Sequence, residues 1–422
     1  MKFTVNVVTK SGARLGSLSD FIRIPDLVLE TPYLLLHTRG GSVPHLSYDL
    51  LQLVSNERQM MQMPLVNLVE HTKNVKAFGK GIAEFTGLQE YLNYATVQDS
   101  GTPTPEGYHE KNIISLWTRG GRKLVDASTY MSCMEALKPD VFQMMSDGDT
   151  TPNSSAKRVK KSVDATVNFA SLCASLKEKS EVLNQTPMFA CVTGGFNVKE
   201  RLRCVEELKP YDVAGYVLDG FHTNGEAASN LNWEDVEPVL TETLAALPQN
   251  MPRIFHGPVT PLLLVKLLSK GIDVVDATFP WLVAERGGAL IFPNSISAST
   301  DVLVVETLPD VKNISRSEEK ETKEETPTLI DRSYEMDLND KVYFNDSRPL
   351  LGDCSCYSCR KYARCYIHHL LATKELLGPI LLMMHNLHHY LTFFQNIRSS
   401  IMEDRLEALQ ARLELFLASR SK

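Results

Sequence analysis

The chain has 422 residues, of which 43% are hydrophobic and 23% charged, as in an ordinary soluble globular protein. A chain of this length can bury a sizeable core without disulfide support. Its net charge of −7 excludes a globally basic nucleic-acid-binding protein, but it leaves room for a local basic surface. No signal peptide or membrane-spanning stretch is recognisable, so we expect an intracellular protein with reduced thiols.

The predicted elements begin with a strand and continue as a series of strand–helix units. The N-terminal MKFTVNVV alternates like an edge or hairpin strand. Short apolar runs follow at YLLLHTRGG, NIISLWTRGG and DVFQMMSDGD, and more clearly at MFACVTGGF, VAGYVLDGF, PRIFHGP and IDVVDATFP. Helical segments such as NVKERLRCVEELKP and PLLLVKLLSKG separate the later runs. Because the runs are apolar on both faces, they indicate parallel strands covered by helices.

The number of these units indicates the fold class. About seven or eight of them over roughly 300 residues favour a (β/α)8 TIM barrel over a doubly wound open sheet. We assign residues 1–305 to the barrel body and residues 306–330, which include NISRSEEKETKEETPT, to a charged flexible insertion. Residues 331–422 then form a cysteine-containing, metal-binding subdomain, argued from its cysteines below, with C-terminal helices. The last helix has an apolar stripe, which indicates a core-facing seam or, alternatively, a partner-binding face: Leu406, Leu409, Leu413, Phe416 and Leu417.

Two basic clusters are candidates for phosphate contact. They are AKRVKK, with Lys157, Arg158, Lys160 and Lys161, and TRGGRK, with Arg119, Arg122 and Lys123. A charge run is usually a solvated helix face or turn. The sharper hypothesis is that the first cluster contacts the backbone of a nucleic acid.

Half of the eight cysteines lie in the segment CSCYSCRKYARC. Cys354, Cys356 and Cys359 form a C-x-C-x-x-C motif. Thiolates this close cannot all pair with one another, whereas a tetrahedral ion accepts three from one loop and a fourth ligand from elsewhere. Zinc is the expected ion because it binds thiolate and imidazole without redox chemistry. The alternative is a loop of three reduced cysteines.

Spacing leaves the fourth ligand open. The candidates are Cys365, His368, His369, His385, His388 and His389. If Thr373 caps a returning helix, an antiparallel hairpin brings His385 back beside the cysteine loop. Pro379 lies too deep in such a helix to leave it undisturbed. The spacing therefore favours His385 and leaves the other candidates open.

The run from Cys354 to Leu387, CSCYSCRKYARCYIHHLLATKELLGPILLMMHNL, resembles the zinc segment of the tRNA-guanine transglycosylase family. That family has C-x-C-x-x-C, then R-x-Y-hydrophobic-H-H-L, then H-N-hydrophobic. The resemblance covers most of the chain and implies a (β/α)8 barrel with one structural zinc per chain. It places the fourth ligand at His385 and makes Cys365 a bystander, with His368 and His369 as structural helix residues.

Enzymes of this family exchange guanine at the wobble position of certain tRNAs for a 7-deazaguanine base. An aspartate attacks the ribose anomeric carbon, and a second carboxylate handles protons. The equivalent of the nucleophile looks like Asp276, at the end of the strand predicted in GIDVVDATFP, where barrel enzymes place their chemistry. The family continues with an apolar pair and P-T-R, whereas Trp281 and Leu282 stand here in place of Thr-Arg.

Other parts of the family's pocket also differ in this chain. D-S-G-G-F-Q is reduced to D-S-G, beginning at Asp99, and the base-recognising G-G-L is similar to DGF, beginning at Asp219. An aspartate fills with a charged group the space that a glycine leaves for a base. Asp147 or Asp149, in DGDTTP, looks like the base-reading carboxylate. We therefore expect no working catalytic residue, with Asp276 and Asp99 as vestiges.

The resemblance implies the non-catalytic subunit of a heterodimer. Its catalytic partner would exchange guanine for queuine in tRNAs with GUN anticodons, while this chain supports tRNA binding and assembly. A homodimer is a further expected state of the isolated chain. The implied location is the cytoplasm, with peripheral association with the mitochondrial outer membrane. The alternatives are a diverged but active transglycosylase that uses Asp276, and a queuine-binding protein without a tRNA role.

Overall fold

The computed structural model describes residues 1–296 and 331–420. The predicted insertion, residues 306–330, lies outside these ranges. Within them, no helix is both long and apolar enough to cross a membrane.

In the described residues, the strands form a closed barrel and three small antiparallel sheets. In chain order they are β1 Lys2–Val8, β2 Arg14–Ser19, β3 Leu29–Thr31, β4 Tyr33–His37, β5 Met60–Pro64, β6 Leu92–Thr96, β7 Ile113–Thr118, β8 Gly121–Asp126, β9 Val141–Gln143, β10 Met188–Val192, β11 Gly215–Leu218, β12 Arg253–Phe255, β13 Val274–Asp276, β14 Gly288–Leu290 and β15 Glu335–Asp337. Eight parallel strands, β4 to β6 and β9 to β13, make the barrel, and β13 pairs with β4 to close it. The predicted (β/α)8 barrel is confirmed.

The helices cover the barrel and continue beyond it. They are α1 Tyr48–Val54, α2 Leu65–Leu68, α3 Thr72–Phe78, α4 Ile82–Phe85, α5 Ala127–Leu137, α6 Ala156–Lys179, α7 Val198–Leu208, α8 Trp233–Ala246, α9 Pro261–Ser269, α10 Thr278–Glu285, α11 Tyr357–Lys361, α12 Arg364–Ala372, α13 Leu377–Met402 and α14 Leu406–Arg420. Ser155, Asn197 and Asn232 cap α6, α7 and α8 by accepting hydrogen bonds from backbone N–H groups.

The barrel strands are short and buried on both faces. All five residues of β5, β6 and β10 are buried. The sequence predicts β10 to β13 clearly, but β5 and β6 have no predicted counterpart because Gln62, Asn93 and Thr96 interrupt their apolar runs. The run NIISLWTRGG is not a barrel strand. It forms the antiparallel hairpin β7–β8, which reverses at Arg119 and Gly120, and Gly121 follows with φ +100°.

The N-terminal hairpin is confirmed, since β1 pairs with β2 and β2 with β3. The buried Arg14 of β2 donates to the carboxylate of Asp273, with Nε 2.9 Å from Oδ1. Asp273 directly precedes β13 in the sequence. This buried ion pair therefore ties the small sheet to the amino-terminal end of the barrel.

The C-terminal helices pack against the barrel. α13 contacts α10, α11 and α12, and its neighbour α14 packs against α9. The core-facing interpretation of the α14 stripe is confirmed by the burial of Leu406, Leu409, Leu413 and Phe416. Thr373 is the C-cap of α12 and does not begin α13. The prediction that Thr373 caps the returning helix is therefore wrong. Because α13 starts at Leu377, Pro379 lies in its first turn, where proline is tolerated.

Candidate metal centre and remnant barrel site

Three thiols and one imidazole converge at the end of the cysteine loop. The ligand atoms of Cys354, Cys356, Cys359 and His385 all lie within 4.8 Å of one another. The Nδ1 atom of His385 is 3.8, 3.5 and 3.3 Å from the three sulfur atoms, in that order. Three thiolates and one imidazole are a donor set that suits a tetrahedral, closed zinc site. The four residues could therefore hold one metal ion.

Local structure explains how these residues meet. Cys356 is the N-cap of α11, and its sulfur accepts the backbone N–H of Cys359 at 3.3 Å. Ser358 donates to the carbonyl of Leu381 at 2.7 Å, which fixes α11 against α13. The Nε2 atom of His385 is 2.8 Å from the carbonyl oxygen of Leu290, so Nδ1 remains directed at the sulfurs. A carbonyl partner of this kind orients metal-binding histidines.

The asparagine of the HNL motif connects the cluster to the barrel. Asn386 accepts the N–H of Leu290 at 2.9 Å and donates to the carbonyls of Gly288 and Pro280 at 3.0 and 3.2 Å. All of these bonds are buried. The cluster is thereby joined to α10, the helix that follows β13.

The other candidate ligands lie elsewhere. The buried His368 is 2.8 Å from the carbonyl oxygen of Leu338, and His389 is 2.9 Å from that of Phe292. Cys365 is a half-buried free thiol outside the four-residue cluster. The structure thus brings together the set that the resemblance implied.

Asp276 ends β13, and its carboxylate is surrounded by donors. Its Oδ2 atom lies 2.9 Å from Ser100 Oγ, 3.1 Å from His256 Nδ1 and 3.0 Å from the N–H of Gly257. Its Oδ1 atom accepts the N–H of Thr278 at 3.1 Å. Asp276 is only 1% exposed. Its carboxylate is satisfied by protein groups alone.

The electrostatics of Asp276 favour the ionised form. Burial, the largest single influence, raises its pKa, but the hydrogen bond and charge of His256 lower it, followed by smaller effects of His37 and Thr278. The net result is a pKa of Asp276 below its ordinary value. Asp276 is therefore a buried carboxylate anion at neutral pH.

The second vestigial candidate, Asp99, also has several partners. It accepts from Asn67 Nδ2 at 3.0 Å, the N–H of Gly101 at 3.0 Å and Thr102 Oγ1 at 3.2 Å. Arg39 Nε lies 3.2 Å from its carboxylate. The structure brings Asp99 and Asp276 to the same end of the barrel, where Ser100 links their segments.

Trp281 packs directly against Gly101. Its indole ring stacks on His37 with centroids 4.9 Å apart, and the Arg39 guanidinium lies 5.0 Å from the ring. Its Nε1 donates to Glu285 at 2.8 Å. A Cβ atom on Gly101 would lie 2.1 Å from the indole, so only glycine fits beneath it. Trp281, which stands where the family has the threonine of P-T-R, is thus packed against the D-S-G segment.

Asp219 restricts the same region from another side. It accepts from Ser146 Oγ at 2.6 Å and from the N–H of Gly220 at 2.7 Å. A Cβ atom on Gly148 would lie 2.5 Å from its carboxylate. The cavity lined by Asp219, His222 and His256 is about 60 Å³, whereas ligand pockets are usually ~300–1,000 Å³. This cavity is too small for a purine-sized base.

Arg158 forms an ion pair with two aspartates at the start of α6. Its guanidinium binds both oxygens of Asp147, at 2.9 and 2.5 Å, and lies 3.5 Å from Asp149. This ion pair engages Asp147, one of the two aspartates that the resemblance offers as the base-reading carboxylate. Its neighbours Lys157, Lys160 and Lys161 are exposed on the first turns of α6. They lie at the carboxyl end of the barrel because α6 follows β9.

His256 and His37 are the site residues that the sequence analysis did not identify. His256 follows β12 and His37 ends β4, so both lie at carboxyl ends of barrel strands. The sequence signal for both was a histidine at the end of an apolar run, where a barrel strand presents its side chains to the site. Assigning the runs YLLLHTRGG and PRIFHGP to the two barrel positions that flank β13 would have indicated both.

Comparisons with known proteins identify the family of this chain. The family model for queuine tRNA-ribosyltransferase (TGT) matches residues 9–417. The chain is 38% identical to queuine tRNA-ribosyltransferase accessory subunit 2 of Xenopus tropicalis over 414 residues, 97% of this chain and 98% of the relative. The Danio rerio protein of that name is 38% identical over 417 residues, which are 96% of this chain and 97% of the relative. The Aedes aegypti protein of that name is 35% identical over 416 residues, which are 98% of this chain and 92% of the relative. The chain therefore belongs to the queuine tRNA-ribosyltransferase family, the tRNA-guanine transglycosylases.

Proposed function

We propose that this chain is a non-catalytic subunit, pairing with a catalytic homologue that exchanges guanine for queuine at the wobble position of tRNAs with GUN anticodons. The observation that carries the proposal is the sealed carboxylate of Asp276, which is 1% exposed beside a cavity of about 60 Å³. The names of the relatives support it, since they are accessory subunits.

The geometry around Asp276 opposes covalent catalysis. A nucleophile must approach the reacting carbon to about 3–3.5 Å with a free lone pair. Oδ2 of Asp276 already receives three donors, and Oδ1 receives a fourth. A substrate would have to displace these groups and also find room for a base.

We expect the purified chain alone to show no exchange of guanine in tRNA. Radiolabelled guanine incorporation into tRNA measures this directly. Addition of the catalytic homologue should give activity, and the homologue alone serves as the matched control for contamination. Exchange by the isolated chain would support the alternative, a diverged but active transglycosylase. One observation favours that alternative: Asp276 remains at the end of β13 with a lowered pKa.

We propose that the four-residue cluster binds one structural zinc ion per chain. Three cysteines and a histidine complete a tetrahedral site and leave no position for a substrate. The ion would cross-link the loop before α11 to α13, where Cys356, Cys359 and His385 are buried. Its role would therefore be to hold the C-terminal helices in place.

The surface next to the cluster suits assembly with a partner. Tyr362 and Tyr366 stack with centroids 5.7 Å apart, and Tyr366 stacks on His369 at 6.5 Å. Tyr366 is 42% exposed and the nearby Phe344 is 68% exposed. Aromatic residues are enriched in protein interfaces. We therefore place the heterodimer interface on α12 and its surroundings, and a homodimer of the isolated chain would use the same surface.

The cytoplasm is the proposed location, with peripheral association with the mitochondrial outer membrane. The family resemblance supports this location, and cell fractionation with and without the catalytic homologue tests it. Exclusively nuclear or matrix-protected protein would contradict it.

Reversing Lys157 and Lys161 to Glu should weaken tRNA binding by the heterodimer. Phosphate contacts contribute affinity that falls with salt, so the salt slope should also decrease, by about one for each contact. Filter binding across a salt series measures both quantities. Lys10→Glu with Lys179→Glu is the matched control, because Lys10 and Lys179 lie toward the opposite end of the barrel. Equal affinities and slopes for the two variants would assign the lysines to a solvated helix face.

A further inference from the structure

Two side chains, those of Ser100 and His256, both bind the carboxylate of Asp276 and line the cavity beside it. His256 directly follows β12, the strand next to β13 in the barrel. Its Nδ1 atom lies 3.1 Å from Asp276 Oδ2. The side chain of His256 is 13% exposed and lines the cavity, whereas that of Asp276 is 0% exposed.

The imidazole ring is held firmly in this position. It stacks on Tyr94 with centroids 5.7 Å apart and an interplanar angle of 20°. Its Nε2 atom lies 3.5 Å from Tyr94 Oη, and Gln62 Nε2 lies 3.4 Å from its Nδ1. Tyr94 is fully buried and Gln62 is 1% exposed. The ring cannot move aside without breaking these contacts.

We propose that His256 is the residue that excludes substrate from Asp276, because its imidazole occupies the space in front of the carboxylate. This inference rests on the proposed function, in which Asp276 corresponds to the family's nucleophile. The other donors to Oδ2 do not have this effect. The N–H of Gly257 is a backbone group, and Ser100 belongs to the D-S-G pattern that the family's enzymes share. His256 is the donor that also contributes a ring.

The proposal predicts a latent, ring-shaped site that removal of the imidazole would open. His256→Gly should leave a cavity of imidazole shape with a carboxylate on one wall. Added imidazole should bind there weakly, with a dissociation constant on the order of millimolar because the probe has few atoms. Binding should raise the melting temperature of the variant in proportion to imidazole concentration and should leave the wild-type chain unchanged.

A second variant shows whether the site includes Asp276. In His256→Gly/Asp276→Asn, the charged partner is lost, and we expect imidazole affinity to fall at least about tenfold. His71→Gly, which removes an exposed histidine from α3's N-terminus, is the control for non-specific effects and should not respond. Where His256→Gly fails to fold, His256→Ala provides a smaller opening for the same titration.

A nucleobase probe extends the test to the family's chemistry. Guanine should bind His256→Gly/Asp219→Gly, in which two walls of the cavity are removed, and should not bind the wild type. Guanine binding by the wild-type chain, or no imidazole binding by a folded His256→Gly variant, would overturn the inference. Neither result alters the exchange assay of the isolated chain, which tests the proposed function separately.

Discussion

His385→Ala should abolish metal binding and unfold the C-terminal helices, and Cys356→Ala should do the same. Each change removes one of four ligands from a closed site, and the free energy of metal binding is then lost from folding. Structural zinc contributes apparent binding free energies of about 10–16 kcal/mol in zinc-finger peptides. Loss of even a fraction of this binding free energy is large compared with a typical free energy of unfolding of ~5–15 kcal/mol. Elemental analysis should give one zinc per wild-type chain and a small fraction in the variants.

His388→Ala is the matched control, because His388 lies on α13 but outside the cluster. It should keep its metal and the thermal stability of the wild type. Pull-down by the catalytic homologue should fall for His385→Ala and remain for His388→Ala, since the proposed interface lies beside the cluster. Stoichiometric zinc in a well-folded His385→Ala protein would show that another residue is the fourth ligand.

Local sequence patterns predicted the cluster better than the barrel site. C-x-C-x-x-C lies on a short loop, so its ligands are close in space whatever the rest of the fold does. The position of His385 depends on where α12 ends and α13 begins. That boundary was misplaced because Thr373, with its capping hydroxyl, can also end a helix, as it does here.

The barrel site depends on contacts between distant segments. Asp276 could be placed from its own strand, because a carboxylate directly follows an apolar run. Its donors Ser100 and His256 come from other strands, so their meeting follows from barrel closure and not from local sequence. The ion pair of Arg158 likewise could not be predicted from local sequence. In AKRVKK it looks like its lysine neighbours, yet its guanidinium binds the buried Asp147.

Asp276→Ala in this subunit should leave base exchange by the reconstituted heterodimer within a few-fold of wild type. If Asp276 performed the chemistry, its loss would reduce the rate by about 10⁴-fold or more, as removal of essential catalytic residues does. The same substitution should nevertheless destabilise the subunit. It leaves the buried donors of Ser100, His256, Gly257 and Thr278 without their acceptor. The expected loss is about 3–5 kcal/mol in the free energy of unfolding.

The pH dependence of this loss follows from the lowered pKa of Asp276. A carboxyl group with a depressed folded-state pKa stabilises the protein above its unfolded pKa, which is about 3.9 for aspartate. That contribution disappears as the pH falls through the folded-state pKa. The difference between wild type and Asp276→Ala should therefore shrink as the pH falls below about pH 4. Urea unfolding of the isolated chain at several pH values measures it.

Asp26→Ala is the control for loss of a carboxylate, because Asp26 pairs with Arg58 on the surface with its side chain 70% exposed. Such an exposed, solvent-screened pair contributes little to stability, so this variant should unfold close to wild type. Activity must be compared at equal amounts of intact heterodimer, measured by light scattering, since a destabilised subunit lowers complex concentration. A collapse of exchange in fully assembled Asp276→Ala heterodimer would assign catalysis to this subunit. Retained exchange with a large stability loss would instead show that the former nucleophile position now serves the fold, with its charge anchoring the segments that follow β6, β12 and β13.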